Sequence, residues 1–260
     1  MSIYNTFREQ HDLFTTMVAK GSDPVNPDQL VDAERLENEH VHAVYNRIAP
    51  HFSSTRYKGW PVVERYLERQ EPGSIGLDIG CGNGKYIAAS KSVYLLGMDR
   101  SQELVFCARD AWRLNQIRHG DVGVGDGLEM PAPTGRFDFA ISVAVVHHFA
   151  TRQRRIQALR ELIRVVRPGG SAFVSAWALE QTATSRRGWT AADYQDLFVP
   201  WVTRKQGNPD SHSENVEKRF YHLYRQDELV EDMRTAGGII LDSGYEKDNW
   251  WVVASPITEP

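Results

Sequence analysis

Cysteine is scarce in this 260-residue chain, with only Cys81 and Cys107. Two thiols exclude a disulfide framework and a four-thiolate zinc site. No apolar run approaches the roughly 18–20 residues of a membrane span. The opening MSIYNTFREQHDLF has no basic start followed by an apolar core, so no membrane anchor or secretory signal is expected. The expected location is the cytoplasm, with the nucleus also allowed. A strong charge of either sign is missing too: the net charge is −4, which argues weakly against a nucleic-acid partner. Divided along the chain, the balance changes. Residues 1–150 carry 15 basic and 19 acidic side chains, residues 226–260 carry 2 and 8, and residues 151–225 carry 13 and 7. A local basic surface can hold phosphates on an acidic protein, although a solvated helix face and a charged loop give the same count.

No internal repeat is visible. Residues 1–36 read as a polar N-terminal extension containing the turn-rich GSDPVNPD. From Glu37 the pattern becomes regular. ENEHVHAVYNRIAP spaces Val41, Val44, Tyr45 and Ile48 as a helix, which Pro50 is expected to end. WPVVERYLERQ is a second helix with Pro61 in its first turn, where a missing N–H costs nothing. Short strands come next, at SIGLDI, YLLGMD, DVGVGD, FDFAISVAV and SAFVSAW. Helices fall at SQELVFCARDAWRL and at TRQRRIQALRELIRVV, the latter expected to stop at Pro168-Gly169-Gly170. After an insertion at about 180–218, DELVEDMRTAGG reads as a last helix and IILDSGYEKDNWWVVAS as an antiparallel hairpin. Such alternation predicts one α/β domain over residues 37–260, with a seven-stranded, mostly parallel sheet covered by helices on both faces.

LDIGCGNG, Leu77 to Gly84, sits at the end of the first of these strands. Glycines at 80, 82 and 84 let the backbone turn tightly and approach a ligand. The spacing is G-x-G-x-G, unlike the G-x-G-x-x-G of a dinucleotide loop. Asp78, just ahead of it, would repel a pyrophosphate and suit a cation. Asp99 ends the next strand, where a carboxylate can accept both hydroxyls of a ribose, and Asp126 comes after the third, where one can accept an exocyclic amine. An ammonium, a ribose diol and an adenine satisfy the three in order, and S-adenosylmethionine carries all three. As plain turn residues the acids would have no reason to fall in register with one ligand.

These features resemble the class I S-adenosylmethionine-dependent methyltransferases, Rossmann-like α/β proteins whose last strand is antiparallel, over about residues 40–255. The resemblance implies that Gly80, Cys81 and Gly82 lie against the methionine part of the cofactor. It also implies that Arg100 and Leu128 flank the adenosine and that Gly127 and Val143 belong to the cofactor site. Several further stretches are similar to one family, the eukaryotic enzymes that esterify 5-carboxymethyluridine at the wobble position of tRNA. They are VYNRIAPHFSSTRYKGWP, FDFAISVAVVHHFATRQRR, WALEQ, SRRGW, FVPW, YHLYR and GYEKDNWW. The family implies a tRNA anticodon stem-loop as substrate. It also implies a small zinc-binding activator protein as partner, forming a heterodimer through the edge of the third strand, where unpaired backbone groups would be exposed.

Ester formation suits the residues at hand. A carboxylate is already ionised at pH 7, so no general base is needed, and the protein has to align and desolvate the reacting atoms. Arg56 is the candidate to hold the substrate carboxylate or the adjacent phosphate, and Tyr57 to close over the cofactor. Trp177, where the fifth strand leaves the sheet, is the candidate to stack on the uracil. Arg186, Arg187, Arg204, Lys205, Lys218, Arg219 and Arg225 are candidates for phosphate contacts. Adjacent His147 and His148 cannot easily address one metal ion from a regular strand, and no metal site is expected. The family resemblance assigns His148 a place beside the methyl group as a hydrogen-bond donor and His147 a place in the packing. Two other functions fit the glycine loop: a methyltransferase of a small carboxylate or phenol, and a catalytically silent cofactor- or RNA-binding module.

Overall fold

A computed structural model describes residues 22–90, 92–114, 119–182, 185, 187–204 and 214–257. Strand β1 (Asp23–Pro24) and helices α1 (Pro27–Leu30) and α2 (Ala33–Glu37) come first. They lie in the stretch expected to be an extension, yet Val25 and Leu36 are buried against Ala150, Phe198 and Phe220. From Ser22 onward the segment is therefore part of the folded unit. A single π turn over residues 38–42 feeds helix α3 (Ala43–Thr55). Pro50 does not end this helix. A proline there costs one backbone hydrogen bond. The turn beyond it is closed by the Ser54 and Thr55 hydroxyls donating to the His51 carbonyl at 3.0 and 2.8 Å, and by Phe52 packing on Tyr45 and Trp201. Helix α4 (Pro61–Glu68) buries Val62, Val63, Tyr66 and Leu67.

The central sheet holds seven strands: β2 (Ile75–Ile79), β3 (Tyr94–Asp99), β4 (Gly120–Val124), β5 (Phe137–Val143), β6 (Val166–Trp177), β9 (Gly238–Glu246) and β10 (Asn249–Pro256). Their order is β4-β3-β2-β5-β6-β10-β9, with β2 to β6 mutually parallel and β10 antiparallel to both neighbours. This is the Rossmann-like sheet expected from the alternation. The inner parallel strands β2, β5 and β6 are largely buried, which is why they read as short apolar runs, whereas β4 is a partly exposed edge. Helices α7 (Arg152–Arg164) and α8 (Glu228–Thr235) cover one face through Leu159, Leu162, Leu229 and Met233. Helices α4 and α5 (Lys85–Ala89) cover the other, where Tyr66, Tyr86 and Ile87 meet Phe139 and Phe173. Gly76 leaves room for the Phe139 ring, which a side chain there would overlap. Helix α6 (Gln102–Leu114) lies between β3 and β4 in sequence. Pro168-Gly169-Gly170 does not stop a helix. Helix α7 ends at Arg164, and the triplet sits inside β6 where its register against β5 shifts, with Gly169 at φ +78°.

The insertion folds as a hairpin, β7 (Asp196–Arg204) and β8 (Glu214–His222), which with β1 makes a second, three-stranded sheet. Residues 205–213 lie outside the described ones. The hairpin carries Trp201, Arg219 and Tyr221 to the carboxyl ends of the parallel strands. Ligands bind at that edge in such folds, beside the switch point where strand order reverses between β2 and β5.

Candidate active site

The loop after β2 is set by backbone geometry. Gly80, Gly82 and Gly84 all have left-handed φ, and a Cβ on Gly80 would strike Val145 at 2.3 Å. Gly80 and Cys81 donate their N–H groups to the Met98 carbonyl, and Gly82 donates to Asp99 Oδ2 at 2.8 Å. The loop is thereby tied to the end of β3. Above it lies a cavity bordered by Gly80, Gly82, Asp99, Arg100, Asp126, Gly127 and Val143, closed by Val41, Leu104 and Phe149. A smaller recess shares Phe52, Gly80, Gly82, Lys85 and Val143 with it and reaches Asp78 and Cys81.

Asp78 is buried, and its Oδ2 has no hydrogen-bond partner. Burial pushes its carboxyl up to about 7, with Lys85 pulling the other way. Burial also lowers the Lys85 ammonium. Asp99 accepts from Gly82 and Ser101 N–H, and burial raises it. Asp126 pairs with Arg100 at 3.1 Å and accepts from the Leu128 N–H. Arg100 also donates to His42 Nε2 at 2.8 Å, and burial, with Arg100 adding to it, holds His42 down at about 4, hence neutral.

Two candidates for cofactor contact are displaced. Leu128 turns into the core with Ile79 and Phe149 and does not border the cavity, because its N–H is drawn back to Asp126. Tyr57 is 68% exposed and borders a separate depression with Asn83 and Trp112, since the chain leaves α3 at Arg56 in a non-helical turn. Cys81 packs its thiol against Gly97, so only its backbone belongs to the loop.

The cavity opens through a neck into a broad groove, and Arg56, Trp60, Trp177 and Arg219 border both spaces. Trp177 ends β6 half-buried, tilted 30° on Tyr221 at 4.5 Å. Arg56 is exposed and lies 5.1 Å over the Trp201 ring. Ala144 stands at the same edge with φ 60°, a conformation that costs a non-glycine residue energy and concentrates at functional sites.

Both histidines are buried and neutral. Burial holds His148 down at about 3 and His147 well below its ordinary value. His147 Nδ1 accepts from the Trp177 N–H, so it anchors β6. His148 Nδ1 lies 2.8 Å from the Phe220 carbonyl, which can only accept, so this nitrogen carries the proton. Its Nε2 then accepts from the Tyr45 hydroxyl at 2.9 Å. With both nitrogens committed, His148 is no donor to a substrate, and that assignment is corrected: it fixes Tyr45. Among the described residues no cluster suits a metal ion.

The basic middle of the chain is largely spent internally. Arg152 and Arg155 pair with Asp232, Arg154 pairs with Glu37, Arg164 with Glu161 and Arg167 with Asp138. Of the phosphate candidates, Lys218 pairs with Asp23, Arg225 is exposed at the start of α8, and neither borders the groove. Arg187 borders it, held by the Ser22 hydroxyl and the Pro200 carbonyl. Arg219 is 4% exposed and is not a surface contact. Arg186, Lys205 and the side chain of Arg204 lie outside the described residues. Nothing in the sequence alone assigns a role to Tyr45, Trp201 or Tyr221, although each stands in one of the family-like stretches.

Residues 77–174 match the Methyltransferase domain family. A methyltransferase solved in complex with the Haloferax volcanii Trm112 methyltransferase activator has the same fold, with a TM-score of 0.56 and 16% identity, covering 84% of this chain and 99% of that one. The sheet, the glycine loop and these likenesses define a Rossmann-like methyltransferase. Two curated relatives narrow the class. A tRNA (carboxymethyluridine(34)-5-O)-methyltransferase of Schizosaccharomyces pombe is 47% identical over 229 residues, covering 84% of this chain and 96% of that protein. One of Saccharomyces cerevisiae is 40% identical over 281, covering 87% and 99%. The chain belongs to the tRNA (carboxymethyluridine(34)-5-O)-methyltransferase family.

Proposed function

We propose that this protein methylates the carboxylate of 5-carboxymethyluridine at the wobble position of tRNA, using S-adenosylmethionine and giving the methyl ester. The observation that carries the reading is the absence of a base at the neck among the described residues. His148 has both nitrogens committed, and the side chains that border both spaces are Arg56, Trp60, Trp177 and Arg219. Only a nucleophile that arrives ionised reacts in such a place, and a carboxylate does. A phenol or amine would have to lose a proton, and none of those four side chains takes one.

The cofactor suits the donor set. The orphaned Asp78 oxygen calls for a cation, Asp99 retains lone pairs for a diol, and Gly80 leaves space that a side chain would fill. S-adenosylmethionine, when bound, supplies a methyl group on a cationic sulfur that departs as a neutral thioether. The chain's own part is to hold and dehydrate the acceptor. Trp177 offers a flat face to the uracil. Arg56, at the outer rim of the neck, offers a charge-assisted contact to a phosphate. The width of the groove beyond the neck favours a nucleotide chain over a small free acid.

A partner belongs to the same reading. Strand β4 is an edge strand, and Val124, Phe106 and Leu114 are exposed on it and on α6. A small zinc-binding activator adding there would cover this surface. A chain that is soluble, monomeric and fully active alone would remove the partner.

The test uses the full chain, methyl-labelled cofactor and tRNA carrying carboxymethyluridine, followed by mild alkali. Label released as methanol supports the ester. Label retained after alkali, or none incorporated even with the activator protein added, overturns it.

A further inference from the structure

Arg219 is the most unusual charge in the molecule. It projects from β8 into the interior, where its guanidinium lies 4.8 Å over Trp201, 5.1 Å over Tyr221 and 5.9 Å over Tyr45. Its Nη1 donates to the Tyr221 hydroxyl at 2.7 Å and to the Tyr45 hydroxyl at 3.3 Å. Its Nε is buried with no hydrogen-bond partner, and no carboxylate pairs with it among the described residues. Among the described residues the other deeply buried arginine, Arg155, has Glu228 and Asp232 beside it. A dehydrated guanidinium without a counter-charge is costly; cation–π contacts offset part of that cost, and an anion would offset more.

The hydroxyl protons sharpen the picture. Because His148 Nδ1–H is committed to the Phe220 carbonyl, the Tyr45 proton goes to His148 Nε2 and the Tyr45 oxygen faces Arg219 as an acceptor. The Tyr221 oxygen likewise accepts from Arg219, and its nearest acceptor, Tyr45 Oη, is 3.4 Å away, too long for a good O–H···O bond. The Tyr221 proton is thus available to a ligand. Tyr221 borders the cofactor cavity, and Arg219 borders both that cavity and the groove.

We infer that Arg219 and Tyr221 form the seat of the substrate carboxylate, with Tyr45 and His148 as positioning residues that keep the Tyr45 oxygen turned toward Arg219. This rests on the reading of function above. One carboxylate oxygen would accept from Arg219 and Tyr221 while the other stays free to react. Esterification removes the negative charge, so the product loses its hold on Arg219 and release is eased. An ion pair made in the ground state acts chiefly on binding, so its loss should raise KM more than it lowers kcat.

The experiment compares two anticodon stem-loop oligonucleotides, one with 5-carboxymethyluridine and one with its neutral amide counterpart. Each is titrated onto the full chain saturated with S-adenosylhomocysteine. Wild type should prefer the acid tenfold or more. Arg219→Met should bring the preference below about threefold and Arg219→Lys should restore part of it. Tyr221→Phe, which removes one hydroxyl from a packed ring, should reduce it severalfold, with S-adenosylhomocysteine affinity within twofold of wild type in each folded variant. If Arg219→Met fails to fold, Tyr221→Phe decides. A wild type that methylates the acid, with folded variants that keep the full preference, would overturn this inference alone. In a parallel assay with S-adenosylmethionine and the activator protein, a wild type that does not methylate the acid would overturn the reading of function and this inference with it.

Discussion

Asp78→Asn tests the cofactor site by changing two properties in opposite directions. Burial lifts the Asp78 carboxyl from 3.8 to about 7, and its Oδ2 has no partner until a cation arrives. A carboxyl whose folded pKa is raised stabilises the fold below its unfolded pKa, and that stability is lost as pH rises through the folded value. A gap of about three units is about 4 kcal/mol withheld from the ligand-free fold above pH 7. Asparagine removes the ionisation, so at pH 7.5 the ligand-free variant should melt higher than wild type. Cofactor affinity should move the other way. An ammonium ligand needs the ionised acid, and at pH 5.5 about 3% of Asp78 is ionised, so wild-type affinity should fall about thirtyfold from its plateau, or ~2 kcal/mol. Calorimetric titration with S-adenosylmethionine between pH 5.5 and 7.5 reads this directly, since the ligand's α-amino group stays largely protonated over that range. The variant should bind weakly with little pH dependence. A variant that melts lower without ligand, or binds with the wild-type affinity and slope, would take the ammonium off Asp78.

Two other changes are informative. Trp177→Ala should weaken stem-loop binding by about 1–3 kcal/mol in a fluorescence titration, with Trp177→Phe retaining most of the affinity; an unchanged affinity would take the base off Trp177. Among the described residues the basic side chains of the groove, apart from the buried Arg219, are Arg56, Arg187 and Lys247, so the log–log salt slope for stem-loop binding should be no steeper than about −3, flattening in Arg187→Ala; a slope near −8 would mean that phosphates are held elsewhere.

The sheet was legible because most of its parallel strands are short apolar runs, and three of the five carry an acid within two residues of the carboxyl end: Asp78 in β2, Asp99 at the end of β3 and Asp126 just past β4. The hairpin was not, because FVPW carries a proline. Pro200 is tolerated in β7 since β1 pairs only with Leu197 and Phe198, leaving that side of the strand open at residue 200. Charge counting misled for a similar reason. The partners of Arg152 and Arg154 lie 80 and 117 positions away, at Asp232 and Glu37, so the basic middle is neutralised from both ends of the chain only once folded. The same distance hid the surroundings of Arg219, named from sequence only as a phosphate contact, whose cage joins α3, β7 and β8. His148 was placed at the right edge with the wrong partner, because its tautomer is dictated by Phe220, 72 residues downstream.

If an ionised acid reacts here without help from a base, turnover should be indifferent to pH. The quantity to measure is turnover on the carboxymethyluridine stem-loop at saturating cofactor and saturating oligonucleotide, from pH 6 to 8.5. The expected result is a kcat constant within about twofold, because the substrate acid, with a pKa near ~4, is ionised throughout and both histidines stay neutral. A kcat that climbs tenfold per pH unit to a plateau would contradict it, since a group of the enzyme would then be taking a proton in the reaction.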